Sequence, residues 1–466
     1  MSVVFLFLFL AFSVWLVARD CTRRKAVSGA MWIPTILLMI LGSRPVSLWA
    51  SGGRVVVNEM GNDVSGSPLD MLFFVLVLAA SLAVASSRRF NWSKLFGSNA
   101  VIVLFYLYFF ASTLWSSDPT GSIKRIVKDF GLLFVVGLIY SEKDPLLSIR
   151  AIYYRCAAVL IPLSVVLVKY FPWYSRSFSV AGVPTVTGVT TQKNSLGEIV
   201  LLLTIIVVWD ALEMMRAGTQ IHWKRMPWDR VLLVLFGVWL LRESDSKTAM
   251  LCVMVGSFLI VRSGKLMSRT ANRLALFSGL SLPYMLFFSQ QFSSVIAPVV
   301  EALGRNMTFT GRTDIWSRVT IHTVNPLIGA GYWNFWGGPG GFAISQAMHT
   351  PIPNAHCGYL DIYIDGGMIG LGLLFTIIIV NGNRIIGHIF RDGDEDRFLR
   401  VRLAILVVAM IYNLSESTFA RMMPMWFSTV LMMVEFPLPK VQKAAVPSKL
   451  KATNRFPEWG SEVEVH

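Results

Sequence analysis

An all-α, polytopic transmembrane helix bundle is the fold this sequence predicts, and three observations predict it. Hydrophobic residues fill 54% of the 466 positions and charged residues only 15%, a balance far from that of ordinary soluble domains. Mean hydropathy is +0.59. Apolar stretches of about 20 residues, the length that a hydrocarbon layer demands of a helix, recur along nearly the whole chain.

Thirteen stretches qualify as spans. In the first half they are centred on residues 2–18, 27–43, 68–86, 98–116, 125–140, 150–168 and 195–213. The second half supplies 229–242, 247–262, 274–290, 358–380, 401–417 and 424–438. The eighth is short for a membrane crossing, so the expected number is about 12–13. The first apolar run has no basic region before it and no small-residue cleavage pattern, and it reads as a retained span.

Short-loop Lys and Arg set the orientation. With the Arg19 to Lys25 run on the cytoplasmic side, alternation places most of the 42 basic residues on that side and puts the N-terminus outside. The net charge of +15 is then topology signal and attraction to anionic membrane lipid, with no call for a nucleic-acid partner. Cys21, Cys156, Cys252 and Cys357 are too scattered to form a disulfide framework or metal cluster.

Two outward segments interrupt the plain helical rhythm: residues 170–194, rich in Gly, Thr, Val and Pro, and the large loop 291–357. The loop contains two helix-like pieces, 292–304 and 313–325, then turns Gly-rich and aromatic from Gly329 to Gly338. An ordered cap on the outer mouth is expected. The domain reading is one transmembrane domain over 1–438 including that loop, followed by a polar, Lys-rich, disordered cytoplasmic tail over 439–466.

His322, His349 and His356 lie in the large loop, and His356 stands at the mouth of the eleventh span. A histidine there can take a proton from a hydroxyl near neutral pH, with Asp361 or Asp365 to orient it, or can simply bond its neighbours. Asp361 and Asp365 are one turn apart and followed by Gly366-Gly367. Carboxylates inside a span face the protein interior or a water-filled cavity, where they serve function or prop helices. Outward cations, among them Lys124, Arg125, Lys128, Lys193, Lys247, Arg305, Arg312 and Arg318, offer either phosphate recognition or plain surface charge. The aromatic run Tyr332 to Trp336 suits sugar stacking or an interfacial belt. No Walker loop, zinc motif or dinucleotide turn is present, so the sequence requires no cofactor and no metal.

Four stretches together resemble the O-antigen ligase and Wzy-type polymerase superfamily, and within it the exopolysaccharide, succinoglycan-type polymerase branch. They are Gly188 to Gly197, Ser244 to Thr248, Leu303 to Trp316 followed by Pro326 to Gly331, and His356 to Gly370. The resemblance implies a metal-independent, GT-C-like glycosyltransferase of the bacterial inner membrane, active on the periplasmic side. Its donor would be a glycan on undecaprenyl diphosphate, its acceptor a lipid-linked repeat unit, and a chain-length regulator its protein partner. Carried over, His356 activates the acceptor hydroxyl, Arg312 and Lys247 hold the diphosphate, and Lys193 and Asn194 form the Lys-Asn motif. Arg125, Asp361, Asp365 and Trp316 complete the candidate substrate-binding set. The alternatives are a ligase with the same donor and a lipid A-core acceptor, or a transporter of lipid-linked sugar.

Overall fold

The computed structural model describes residues 2–52, 67–178, 182–216, 226–261, 270, 279, 312–321, 324–392 and 397–436. Outside the described residues lie the expected tenth span, the first loop helix at 292–304, Arg305 with the Leu303 to Gly311 part of the third motif, His322 and the 439–466 tail.

Helices dominate the described residues, as apolar composition without β-alternation requires. Five are long and apolar enough to cross a membrane: Val3–Arg23, Pro68–Ser87, Pro145–Tyr170, Lys193–Met215 and Gly358–Arg391. They divide by position. In Pro145–Tyr170 and Lys193–Met215, 83% of the apolar window is buried, whereas in Val3–Arg23 and Pro68–Ser87 only 17% is. The outer pair turns Phe7, Leu8, Leu72 and Leu76 away from the protein, an arrangement stable only against hydrocarbon. The protein is therefore an all-α polytopic membrane protein. Among the described residues, one short antiparallel hairpin, Arg176–Phe178 with Pro184–Val186, is the exception to pure helix.

Three expected spans take another form. The 98–116 stretch is one arm of a bent pair, Trp92–Ser98 and Ala100–Trp115, meeting at 88°. Asn99 makes the elbow possible. Its side-chain amide donates to the carbonyls of Leu95 and Glu435 at 2.8 and 2.9 Å, and its oxygen accepts from the Glu435 N–H at 2.8 Å. Residues 125–140 are two helices, Pro119–Phe130 and Leu132–Tyr140. The first starts at Pro119 behind Asp118, whose carboxylate caps Gly121 N–H at 2.9 Å.

The third case is the helix Gly358–Asp392, which breaks at Gly367, where φ is +60° and ψ −161°. A break inside a span strands peptide groups that lipid cannot satisfy. Here the segment Pro326 to Gly331 satisfies them. Ala330 and Gly331 N–H donate to the Ile364 and Asp365 carbonyls at 2.8 and 3.0 Å, while Met368 and Ile369 N–H donate to the Pro326 and Leu327 carbonyls at 2.8 and 3.1 Å. The Tyr108 hydroxyl adds a bond to the Gly366 carbonyl at 2.6 Å. Contact this close excludes side chains: a Cβ on Gly329, at φ +71°, would lie 2.5 Å from the Asp365 backbone.

A buried ionic network holds one end of the bundle. Both oxygens of Asp210 accept from Arg24 at 2.6 Å, Arg150 reaches Asp210 at 2.6 Å and Arg230 at 3.2 Å. Asp20 pairs with Arg24 and Arg155 at 3.0 Å each. Arg24, in the run that the sequence assigns to a basic loop, is thus a buried tie between helices Ser2–Arg23 and Lys193–Arg216. Asp210 lies 17 residues, or about 25 Å of helix, from Lys193, so the network and the residues that follow occupy opposite ends.

Gly329→Ala is expected to destabilise the protein by about 1–3 kcal/mol through strain at the break, whereas Gly337→Ala, with open space around it, should change stability by less than about 0.5 kcal/mol. Thermal unfolding of both variants in detergent checks this; equal midpoints would rule out the tight docking.

Candidate functional site

At the end of the bundle opposite the ionic network, four segments far apart in sequence meet around Glu416. Its loop follows helix Arg397–Tyr412 and precedes Pro424–Met433. Asn413 shapes the loop. Its side-chain oxygen accepts from Thr418 and Phe419 N–H at 2.8 and 3.1 Å, and its amide donates to the Ala409 carbonyl at 2.9 Å and to Thr418 Oγ1 at 2.8 Å. Gly358 N–H, at the head of the broken helix, donates to the carbonyls of Asn413 and Glu416, each at 2.9 Å.

The Glu416 carboxylate gathers three of the residues singled out in the sequence. Oε1 accepts from Arg312 Nη2 at 2.8 Å. Oε2 accepts from the Asn194 amide at 3.0 Å and lies 3.8 Å from His356 Nδ1. Arg312 also donates to the Ser415 carbonyl. Burial alone would push the Glu416 carboxyl up, but the Arg312 guanidinium and His356 outweigh it and hold it below the usual carboxylate range. The side chain of His356 is 28% exposed, against 13% for Arg312 and Glu416. The imidazole is therefore more accessible than either. His356 has φ +50°, a conformation that costs energy in a non-glycine residue and persists only when its surroundings impose it.

Lys193 and Lys247 begin neighbouring helices, Lys193–Arg216 and Lys247–Val261. The helices approach closely because Gly197 has no side chain: a Cβ there would lie 2.7 Å from Ser246 Oγ. Thr248 Oγ1 is 2.9 Å from Ser415 Oγ, so Lys247, which is exposed, stands beside the Glu416 loop.

Asp361, Asp365, Trp316 and Arg125 surround this group without joining it. Asp361 is 1% exposed and Asp365 3%. Both face Arg421, at 3.3 and 3.9 Å, rather than His356; the carboxylate beside the imidazole is Glu416. Trp316 is buried, and its indole donates to the Ala355 carbonyl at 2.9 Å. Arg125 donates to the Trp333 carbonyl at 3.0 Å and lies 5.6 Å over the Trp333 ring, against which Arg421 also packs at 4.5 Å.

The aromatic run is mostly interior. Tyr332, Phe335 and Trp336 are buried, with the Tyr332 hydroxyl donating to Asp129 at 2.6 Å and the Trp336 indole to Asp361 at 2.7 Å. For these three, packing within the protein replaces both the belt and the sugar-stacking reading.

Sequence reasoning passes over Glu416 and Arg421. It extends the twelfth span to residue 417, whereas the helix ends at Tyr412. A signal was available, because a glutamate inside a supposed span marks an internal or functional carboxylate.

Residues 231–375 match the sequence model of the O-antigen ligase family. No curated protein matches the chain. The matched segment contains Lys247, Arg312, Trp316, His356, Asp361 and Asp365, while Arg125, Lys193, Asn194, Glu416 and Arg421 lie outside it. Carried within an all-α membrane bundle, that segment makes the chain similar to the O-antigen ligase family over residues 231–375.

Proposed function

We propose that this protein is a polysaccharide polymerase of the bacterial inner membrane, moving a glycan from undecaprenyl diphosphate onto a lipid-linked repeat unit at the periplasmic side. The observation that carries the reading is the meeting of an accessible imidazole, a carboxylate held ionised and a guanidinium within one group, His356, Glu416 and Arg312.

In this reading His356 takes the proton of the acceptor hydroxyl as its oxygen attacks the anomeric carbon. Glu416 orients the ring and stabilises the imidazolium that forms. The bond to the diphosphate oxygen breaks on the opposite face, so configuration inverts. Its electron pair leaves with the diphosphate, whose charge falls to Arg312, Lys247 and Lys193. No metal is assigned a step. Asn194 fixes Glu416, while Asp361, Asp365, Trp316 and Arg125 support the group from behind.

The description of the matched family, O-antigen ligase, supports a second reading, a ligase with the same donor; its acceptor in this reading is lipid A-core. The reacting groups would be the same. Purified protein in proteoliposomes with an undecaprenyl-diphosphate oligosaccharide distinguishes them. A ladder of multiplied repeats supports the polymerase, and consumption of donor only after lipid A-core is added supports the ligase. Transport of the lipid-linked sugar without any transfer would displace both.

His356→Ala and Arg312→Ala are each expected to lower transfer by about 10²–10⁴-fold while the protein still inserts and purifies; full-length polymer from both variants would remove the mechanism.

Glu416 is also expected to show in stability. Its carboxyl is depressed in the folded protein, so the pairing with Arg312 stabilises fully above the ordinary glutamate value of 4.5 and is lost as pH falls through the lower folded value. Glu416→Gln should therefore melt below wild type at pH 6, with the gap closing as pH drops below about 4. A gap independent of pH would count against an ionised Glu416.

A further inference from the structure

The proposed chemistry needs His356 and Glu416 aligned, yet they sit on separate loops and their side chains meet at 3.8 Å. One buried carboxylate bonds the immediate neighbour of each. Asp361 Oδ1 accepts from Ala355 N–H at 3.1 Å, one residue before His356, and from the Trp336 indole at 2.7 Å. Oδ2 accepts from the Ser417 hydroxyl, one residue after Glu416, and lies 3.3 Å from Arg421 Nη2. The Ala355 peptide is gripped from its other side as well, by the Trp316 indole on its carbonyl. Asp361 itself stands in the first turn of the helix Gly358–Asp392, a rigid base for such a grip.

We propose that Asp361 is a positioning residue that clamps the His356 loop to the Glu416 loop, setting the distance and angle at which imidazole and carboxylate meet. With 1% exposure it is sealed from substrate, so it acts through the two residues it positions. Its four donors, Ala355, Trp336, Ser417 and Arg421, come from three separate stretches of chain, the last two from the Glu416 loop. Loss of the clamp frees His356 from the φ of +50° that its surroundings impose. The inference rests on the transferase reading for its consequence, and its geometry can be read without any turnover.

Asp361→Asn keeps an oxygen for Ala355 and Trp336 but turns an amide donor toward Ser417 and Arg421, breaking the Glu416 arm. Ser417→Ala cuts the same arm and leaves the Asp361 charge paired with Arg421. The experiment measures transfer, donor affinity, and the imidazole signals of ¹³C-histidine-labelled protein, with the His356 signal assigned by its loss in His356→Gln. Turnover should fall about a hundredfold in Asp361→Asn and about tenfold in Ser417→Ala, as small misplacements of reacting groups do. Donor affinity should stay within about threefold of wild type, because binding is not what the clamp sets. The double variant should be no worse than Asp361→Asn. The His356 signal should move in both single variants while the other histidine signals stay in place.

Wild-type turnover in Ser417→Ala with an unmoved His356 signal overturns the proposal. So does a loss of donor affinity equal to the loss of turnover in Asp361→Asn, since Asp361 would then contact substrate. If Asp361→Asn does not fold, Ser417→Ala decides by the same readouts. If the wild type transfers no glycan from any donor, the transferase reading fails and the His356 signal alone judges the clamp: moved sustains it, unmoved overturns it.

Discussion

Everything at the proposed transfer site hangs on one constraint: peptide groups at membrane depth must find partners within the protein. The helix Gly358–Asp392 violates its own ladder at Gly367, which in hydrocarbon costs several kcal/mol for each stranded group. Four bonds from the Pro326 to Gly331 segment replace what the break removes. The exchange is mutual, since a loop backbone and a broken helix satisfy each other. It also fixes where the loop lies, and from there chain continuity and the Trp336 bond to Asp361 bring the aromatic run against the first turn of the same helix. Without the break the loop has nothing to dock on. The glycines on both sides exist because backbone meets backbone there.

The bundle carries charge at both ends, but the two ends handle it differently. Around Asp210 and Asp20, arginines and aspartates are enclosed and answer one another. Such a network adds little net stability over an apolar core, because desolvation offsets the attraction, yet removal of one partner leaves a buried uncompensated charge. It therefore specifies which helices meet. Around Glu416 the pairing is looser. His356 is more than a quarter exposed, and Lys247 is exposed. Cations beside an accessible imidazole make a site where an anionic group can be received, whereas the opposite end is a closed structural lock.

Glu416 has three neighbours of different kinds, and this gives the group its chemical sense. Arg312 keeps the carboxylate ionised against the pull of burial, and the ionised carboxylate is what an imidazole needs beside it to accept a proton. Asn194 donates to Oε2, the oxygen that faces His356. Each residue is held by groups outside the set: Asn413 shapes the Glu416 loop, and Trp316 and Asp361 hold the peptide before His356. The arrangement is a small polar assembly set into a rigid frame, as preorganised chemistry requires.

The sequence by itself determined the class of the fold, because hydropathy is a property of composition and a membrane admits few architectures. It determined the cluster of motifs too: Asn194, Thr248, Arg312 and His356 each stand in a stretch legible along the chain, and the structure brings those stretches to one end of the bundle. Only tertiary structure decided which carboxylate faces His356. Asp361 and Asp365 are near in sequence and buried in favour of Arg421, while Glu416 arrives from 60 residues further along. It also decided that Tyr332 and Trp336 are core residues with polar tips bonded to Asp129 and Asp361, not surface rings. The reason is common to both outcomes. Apolar periodicity reports how much of a segment avoids water, whereas the partner of a buried charge is set by long-range approach of loops, which no local pattern encodes.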